Sequence, residues 1–243
     1  RNFLTDSFRI GAHAGVNSNN ATYVSWNWRL NGSGSSNTDG TINTGATTVA
    51  AHNGLSLSTF TGNGADNATI GHGLGQKPEI VLIKPRSIDD NWVMSWGTIQ
   101  GDQSASVGNK FNSFTDKGYF YLNSNNAAGG ASGNRFLQND SDTVNLGTNW
   151  SNVNQNNATY LMWAMVSTPG FCDFGSYTGN GNANGPHVYV GFRPAYLIIR
   201  KLAGGDTILW DTQRSPHNVA NTVLYPAENI AEGSEASRAV DIL

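Results

Sequence analysis

Two short runs of polar and aromatic residues have the composition of a sugar-binding surface. Asp89, Asp90, Asn91 and Trp92 are consecutive, and Trp96 follows four positions after Trp92. An indole ring stacks on the apolar face of a pyranose, while carboxylates and carboxamides hydrogen-bond its hydroxyl groups. This run therefore predicts a contact with carbohydrate.

A second run supplies the same chemistry later in the chain, where Asp206 precedes Trp210, Asp211 and Arg214. The alternative is that Trp96 and Trp210 are equivalent core residues, because each follows a matched strand-like segment, and we favour that alternative for these two. The predicted glycan contacts are Asp89, Asp90, Asn91, Trp92, Asp211 and Arg214.

Catalytic signatures are absent from the sequence. It has no nucleophile elbow, no zinc-protease motif and no phosphate-binding loop. Glycoside hydrolysis needs two carboxyl groups about 5–10 Å apart, but Asp89 and Asp90 are adjacent and would face opposite sides of a strand. Three of the four glutamates lie in the polar C-terminal region, at positions 228, 232 and 235. We predict no enzyme and no catalytic residue.

Metal and cofactor sites are not indicated by spacing. Loops rich in Asn, Ser and Gly contain four aspartates that could offer oxygen ligands to Ca²⁺, but no calcium-binding pattern is matched and Asx-turns are the expected role. These aspartates are Asp39, Asp66, Asp140 and Asp142. The single Cys172 excludes an internal disulfide bond and a cysteine-based zinc site. We therefore expect no cofactor and no metal.

Composition narrows the class of protein. Of 243 residues, 29 are Gly and 31 are Asn, while only 13% are charged and 10% are aromatic. The aromatic content and the net charge of −3 argue against disorder, and the scarcity of Glu and Lys argues against a helical bundle. There is no basic surface for nucleic acid and no apolar run of membrane-spanning length. A β-rich fold with many turns remains.

Internal repetition organises the chain. Three blocks recur in the same order, 137, 117 and 116 positions later respectively. They are residues 16–26 and 153–163, 60–64 and 177–181, and 74–84 and 190–200. The change in spacing indicates that the first copy has an insertion of about 20 residues between Trp28 and Phe60. Residues 31–40 of this insertion are rich in Gly, Ser and Asn, which is typical of a flexible loop or linker.

The order of the blocks predicts three regions. Residues 1–50 would be the C-terminal part of one repeat with the inserted loop, residues 51–166 a complete β-sandwich unit, and residues 167–243 the start of a truncated further repeat. A match of residues 2–4 to residues 135–137 supports this order. The alternative is one duplicated domain in circular arrangement.

Periodicity predicts the elements. Residues 22–28, 79–84, 160–166 and 196–200 have strand patterns, and Asn63-Gly64 and Asn180-Gly181 favour type I′ hairpins. The one helix candidate is residues 227–239. The fold class predicted is all-β, as tandem antiparallel β-sandwich repeats of jelly-roll or lectin-like type.

These motifs together resemble a tandem domain of uncharacterised function found in phage structural proteins. The resemblance rests on residues 21–28, 177–181, 191–200 and 210–214 and spans nearly the whole chain. Such proteins are frequent in marine and cyanobacterial phages and are usually labelled tail fibre or virion appendage. The family carries no established catalytic residues.

The resemblance implies a virion structural protein at the surface of an extracellular particle, most naturally a tail fibre or appendage that adsorbs to host glycans. Its partners would be other virion proteins, further copies of itself (a trimer if it is a fibre) and host surface polysaccharide, with no nucleic acid and no membrane insertion. The alternatives are a capsid decoration, a structural shaft module without ligand and, less favoured, a glycan depolymerase.

Overall fold

Antiparallel β-strands joined by loops and single helical turns make up the fold. The computed structural model describes residues 7–96, 118–129, 138–147 and 150–243. The first strands are β1 (Ala46–Ala50), β2 (Leu55–Thr61), β3 (Thr69–Gly71), β4 (Ile80–Pro85), β5 (Val93–Trp96), β6 (Gly118–Tyr121), β7 (Gln138–Asn139), β8 (Thr143–Asn145) and β9 (Thr159–Met165). They are followed by β10 (Tyr196–Arg200), β11 (Thr207–Asp211), β12 (Thr222–Val223) and β13 (Gly233–Ser234). The helical turns are α1 (Ala14–Asn17), α2 (Ser151–Asn154) and the 3₁₀ turns Ala51–Asn53 and Ala236–Arg238.

A six-stranded sheet forms the larger layer, in the order β1-β2-β9-β4-β5-β6. β9 lies in its interior, antiparallel to both β2 and β4. Its residues alternate in burial, so that Tyr160, Met162 and Ala164 are fully buried while the intervening side chains are partly exposed. This alternation is the period of two expected for a strand with one face on the core.

A three-stranded sheet, β3-β8-β7, packs against the larger sheet as a second layer. Ile42 extends it through a parallel bridge to Ile70. The core between the layers combines apolar residues from both sheets with Trp150 and Val153 of the α2 region. The structure is therefore all-β and sandwich-like in this part of the chain.

The C-terminal region has a smaller core of its own. β10 pairs with β11 and β12 pairs with β13, and an isolated bridge from Leu209 to Leu224 connects the two pairs. Trp210, Val223 and Tyr225 are buried in this core. Within the part of the chain that the structure describes, no helix is long and apolar enough to cross a membrane.

Three of the four predicted strands are present. β4, β9 and β10 correspond to the predictions over 79–84, 160–166 and 196–200. The prediction of a strand over residues 22–28 is wrong for this structure, because these described residues lie in no strand and most are exposed. A strand needs a neighbour for its backbone hydrogen bonds, and pattern alone does not supply one. The predicted match between residues 2–4 and 135–137 lies outside the described residues.

The hairpin predicted at Asn63-Gly64 is also wrong. Gly64 has a φ of 69°, but Asn63 is not in the left-handed region that a type I′ turn requires. The loop instead joins β2 to β3, which belong to different sheets. Asn63 Oδ1 accepts a hydrogen bond from the amide of Ala65 (2.9 Å), and Asn154 bonds both sides of this Asx-turn.

The structure differs from the sequence prediction at the C-terminal helix and at the inserted loop. The helix predicted over residues 227–239 is replaced by β13 and the 3₁₀ turn Ala236–Arg238. The inserted loop is tied to the sheet, because Ser35 forms a two-way backbone bridge with Thr47 and the side chain of Ser36 bonds the carbonyl of Thr44. A Cβ at residue 34 would lie 2.5 Å from the carbonyl oxygen of Thr47, so the loop needs glycine at this position.

Trp96 and Trp210 are both buried, as expected of core residues, but they are not equivalent. Trp96 pairs with Ile80 at the start of β4, whereas Asp211 is the residue that pairs with Tyr196 at the start of β10. Trp210 therefore lies one residue before the position in β11 that corresponds to Trp96 in β5. Because neighbouring residues of a strand face opposite sides of the sheet, the two tryptophans lie on opposite faces of their strands.

Gly62 offers a test of this packing. A Cβ at residue 62 would lie 2.4 Å from the carbonyl oxygen of Gln155, whereas a Cβ at the matched Gly179 would meet nothing within 4 Å. We expect Gly62→Ala to lower the free energy of unfolding by about 1–3 kcal/mol and Gly179→Ala to change it by less than about 0.5 kcal/mol. Urea denaturation measures both, and equal effects would contradict the packing described.

His72 makes stability depend on pH. Its side chain is fully buried, and Nδ1 accepts from the amide of Leu74 (3.2 Å). Burial lowers the pKa of His72, although the Asp140 carbonyl and nearby carboxylates oppose the shift. The unfolded chain therefore binds a proton more readily, so we expect the free energy of unfolding to fall as the pH drops from about 7.5 to about 5.5.

Denaturant titrations at the two pH values measure this change. His72→Asn retains an acceptor for the Leu74 amide but cannot titrate, so it should show a smaller fall than the wild type. His187→Asn removes an exposed histidine and should leave the fall unchanged. An identical fall in the wild type and His72→Asn would contradict the assignment to His72.

Candidate functional site

A partly exposed apolar row crosses the outer face of the six-stranded sheet. The register places Leu57 and Leu82 on either side of Trp163, and Met94 beyond Leu82. All four side chains are half-buried. The adjoining end of the same face is covered, because Phe174 and Leu202 pack against the buried cluster that contains Trp96. Met94 packs against the same cluster, while Leu57, Leu82 and Trp163 remain partly exposed.

Trp92 stacks on Trp163. The ring centroids are 5.5 Å apart and the planes differ by 23°, an offset arrangement favoured by aromatic pairs. The backbone around Trp92 is fixed to the loop after β6, because its amide donates to Asn123 Oδ1 (3.0 Å) and its carbonyl accepts from the amide of Leu122 (2.9 Å). Trp92 itself remains half-buried.

Carboxamides border the two rings. Asn123 Nδ2 donates to Asn91 Oδ1 at 3.1 Å, which joins the two side chains. Lys84 lies on the same side, with Nζ donating to the carbonyl of Asp90 (2.5 Å). We call the set Trp92, Trp163, Asn91, Asn123 and Lys84 the tryptophan platform. It combines two stacked indole rings with hydrogen-bonding groups at their margin.

Asp90 has a structural role beside the platform. Its carboxylate accepts from the hydroxyl of Ser151 (2.6 Å), from the Nδ2 of Asn152 and from the amide of Asn91 (2.8 Å). It thereby holds the α2 turn against the β4–β5 connection. Asp89 is exposed. The two carboxylates lie in a loop, so the expectation that they face opposite sides of a strand does not apply to them.

Asp211 and Arg214 are in the other core, away from the platform. Asp211 Oδ2 bonds Arg214 Nε at 2.8 Å, and Arg214 Nη1 bonds Glu232 at 2.9 Å. Burial opposes ionisation of Asp211, but the Arg214 amide and guanidinium and the Gln213 amide outweigh it and lower the pKa of Asp211. The pair stabilises the end of β11, so the structure does not bring the six predicted contacts together.

Three platform residues were missed by the sequence prediction: Trp163, Asn123 and Lys84. Trp163 could have been found from the alternation in β9, where it is the large aromatic residue on the outward face. Asn123 follows a strand that no pattern distinguished. In the described ranges, no group of three or more His, Cys, Asp and Glu side chains is placed to hold a metal ion.

Comparison with known families gives one match. A family model described as a domain of unknown function, DUF7483, matches residues 1–243. The chain belongs to this family. No curated protein and no solved structure matches the chain.

Asp90 and Asp89 form a matched pair for mutation. We expect Asp90→Ala to lower the free energy of unfolding by about 1–3 kcal/mol, because the Ser151 and Asn152 donors lose their acceptor. Asp89→Ala should change it by less than about 0.5 kcal/mol. Thermal or urea unfolding measures both variants, and a silent Asp90→Ala would show that this carboxylate does not anchor α2.

Proposed function

We propose that this DUF7483 chain is a structural protein of a phage virion, a tail fibre or appendage that adsorbs to glycans on the host surface. The observation that carries the proposal is the tryptophan platform, in which stacked Trp92 and Trp163 lie beside Asn91 and Asn123. A pyranose ring would stack on the indole surface, and its hydroxyl groups would bond the carboxamides.

The electrostatics of the platform favour a neutral or acidic sugar. Lys84 is its cationic group, while the carboxylate of Asp90 is already engaged by Ser151, Asn152 and Asn91. A carboxylate that is saturated with donors is poorly placed to transfer a proton, so binding without hydrolysis is the proposed activity. No metal or cofactor is needed for it.

The wider architecture completes the proposal. The likeness of the motifs to phage appendage proteins supports placement on a virion, where tandem β-sandwich repeats would assemble with further copies and with other virion proteins. A low content of charge and many polar uncharged loops suit a surface exposed to host polysaccharide. Capsid decoration and a shaft module without ligand are the competing structural functions.

Binding of the full chain to arrayed bacterial envelope polysaccharides tests the proposal. We expect a signal that Trp92→Ala reduces by at least about tenfold, because one stacking surface is lost. Tyr189→Ala is the matched control, since this aromatic side chain is 82% exposed outside the platform and its loss should leave binding unchanged.

Other outcomes separate the alternatives. Binding that survives Trp92→Ala would contradict the platform, and no binding to any envelope polysaccharide would favour decoration or a shaft module. Release of reducing sugar from a bound polysaccharide would indicate a depolymerase instead. Immunogold labelling of particles distinguishes a tail position from a head position.

A further inference from the structure

Residues 14–28 have the local structure of the segment that leads into β9. In each segment a tyrosine hydroxyl donates to a backbone carbonyl and accepts from a backbone amide around the preceding helical turn, through Tyr23 after α1 and through Tyr160 after α2. Asn20 and Asn157 hold the same left-handed conformation, with φ of 60° and 61°. The two segments are 137 positions apart in the sequence, so the repeat makes the end of the first segment the counterpart of β9.

β10 is the counterpart of β4, at a spacing of 116 residues. β4 lies between β5 and β9, whereas β10 pairs with β11 and with no other described strand. The amide of Thr212 donates to the carbonyl of Ala195 (3.0 Å). Antiparallel bonds recur at every second residue, so Leu197 and Ile199 bond β11. The backbone groups of the intervening residues point to the opposite side of β10.

The pairing of β9 with β4 predicts how its counterpart would meet β10. Met165 of β9 is opposite Ile80 of β4. Shifted by the repeat offsets of 137 and 116 residues, this pair becomes Trp28 opposite Tyr196. Trp26 is two residues away on the same face of the strand and would lie diagonal to Tyr196. The repeat therefore predicts contacts from two tryptophans to one tyrosine.

Both predicted contacts are present within the chain. The rings of Trp26 and Trp28 lie edge-on to the ring of Tyr196, with centroids 5.6 and 6.4 Å away. The predicted register follows from the repeat and from the β4–β9 pairing alone, so the ring contacts are an independent observation. They identify residues 22–28 of the same chain as the segment that lies against β10.

This contact is made by side chains only. Residues 22–28 are in no strand, and no backbone hydrogen bond joins them to β10 in the part of the chain that the structure describes. Tyr23 is 52% exposed, although its counterpart Tyr160 is fully buried. The aromatic rings are thus in place while the backbone is unpaired, which is the arrangement of a strap before it closes. We call residues 22–28 the strap.

Polar residues on the other face of the strap are compatible with closure. Ser25 and Asn27 take the places of Met162 and Ala164, which are fully buried in β9. Asn27 Nδ2 donates to Ser25 Oγ at 3.2 Å, so the two side chains partly satisfy each other. They are two residues apart and share one face, as they would in a strand.

We propose that the strap closes onto β10 of the same chain as an added antiparallel strand and takes the place in the second unit that β9 has in the first. Tyr196 and Ile198, each 37% exposed, would gain apolar cover from the two tryptophans. Closure would also pair the backbone groups on the side of β10 that β11 does not use, and an unpaired edge is what proteins ordinarily protect. This inference does not depend on glycan binding.

The proposed pairing has a specific pattern of backbone bonds. Between β4 and β9 the amide of Arg86 donates to the carbonyl of Thr159 (2.7 Å), and the bonds recur at every second residue. Transferred by the repeat offsets, the amides that bond β10 are those of Val24, Trp26 and Trp28. The amides of the intervening residues point away from β10.

Residue-resolved amide hydrogen exchange of the full chain, followed by NMR, tests the proposal. The amides of Val24, Trp26 and Trp28 should exchange at least about tenfold more slowly than those of Ser25 and Asn27, because only the first three are paired. The difference should persist on about tenfold dilution, because pairing within one chain does not depend on concentration.

Tyr196→Ala removes the ring that both tryptophans contact. It should speed the exchange of the three paired strap amides by at least about tenfold, while slow exchange of the β10 amides that bond β11 shows that the hairpin is retained. Tyr189→Ala is the matched control, since this side chain is 82% exposed and its loss should leave the strap unchanged. Equal effects of the two substitutions would overturn the proposal, because the strap would not be held at Tyr196.

Three results with the wild type would also overturn the proposal. Uniformly fast exchange of the strap would show that its backbone is not paired. Equal protection of neighbouring amides would show that the predicted register is absent. Protection that is lost on dilution would show that the strap pairs with a second copy and not with β10 of its own chain.

Discussion

Pairing of β9 with β2 and β4 is the constraint on which the rest of the structure depends. These partners lie about a hundred and about eighty residues earlier in the chain, so the sheet forms only when long stretches of sequence are brought together. Once β9 is in place, Tyr160 and Met162 fill the core between the two layers, and α2 is positioned beside the β4–β5 connection.

The same strand serves both faces of the sheet. Tyr160 on the inward face bonds the α2 turn, and burial raises the pKa of its phenol, with the Asp90 carboxylate adding to the shift against the opposing Gln155 amide. Trp163 on the outward face supports Trp92. The stability of the core and the shape of the platform therefore depend on one register, which explains why structural and candidate binding residues alternate along β9.

Strands were predicted correctly from the sequence where a run of apolar residues forms a buried strand. The prediction failed where strand formation depends on a partner that is distant in the sequence. β4, β9 and β10 have dense apolar patterns that indicate strands without further information. The segment over residues 22–28 has an equally good pattern, yet forms no strand here because no neighbour receives its backbone bonds. At the site, Asp90 proved to be an acceptor for α2, and Asp211 and Arg214 form an ion pair in the other core. Trp92 and Asn91 stay predicted glycan contacts.

The sequence by itself determined the short-range structure. Tyr23 and Tyr160 make the same hydrogen bonds, and Asn20 and Asn157 adopt the same left-handed conformation, because every partner lies within ten residues along the chain. Tertiary structure alone decided which segment became an interior strand, which face of β11 carries Trp210, and that Trp92 meets Trp163. The physical reason is that a turn satisfies its own backbone groups, whereas a strand must find donors, acceptors and apolar cover on another part of the chain or on another molecule.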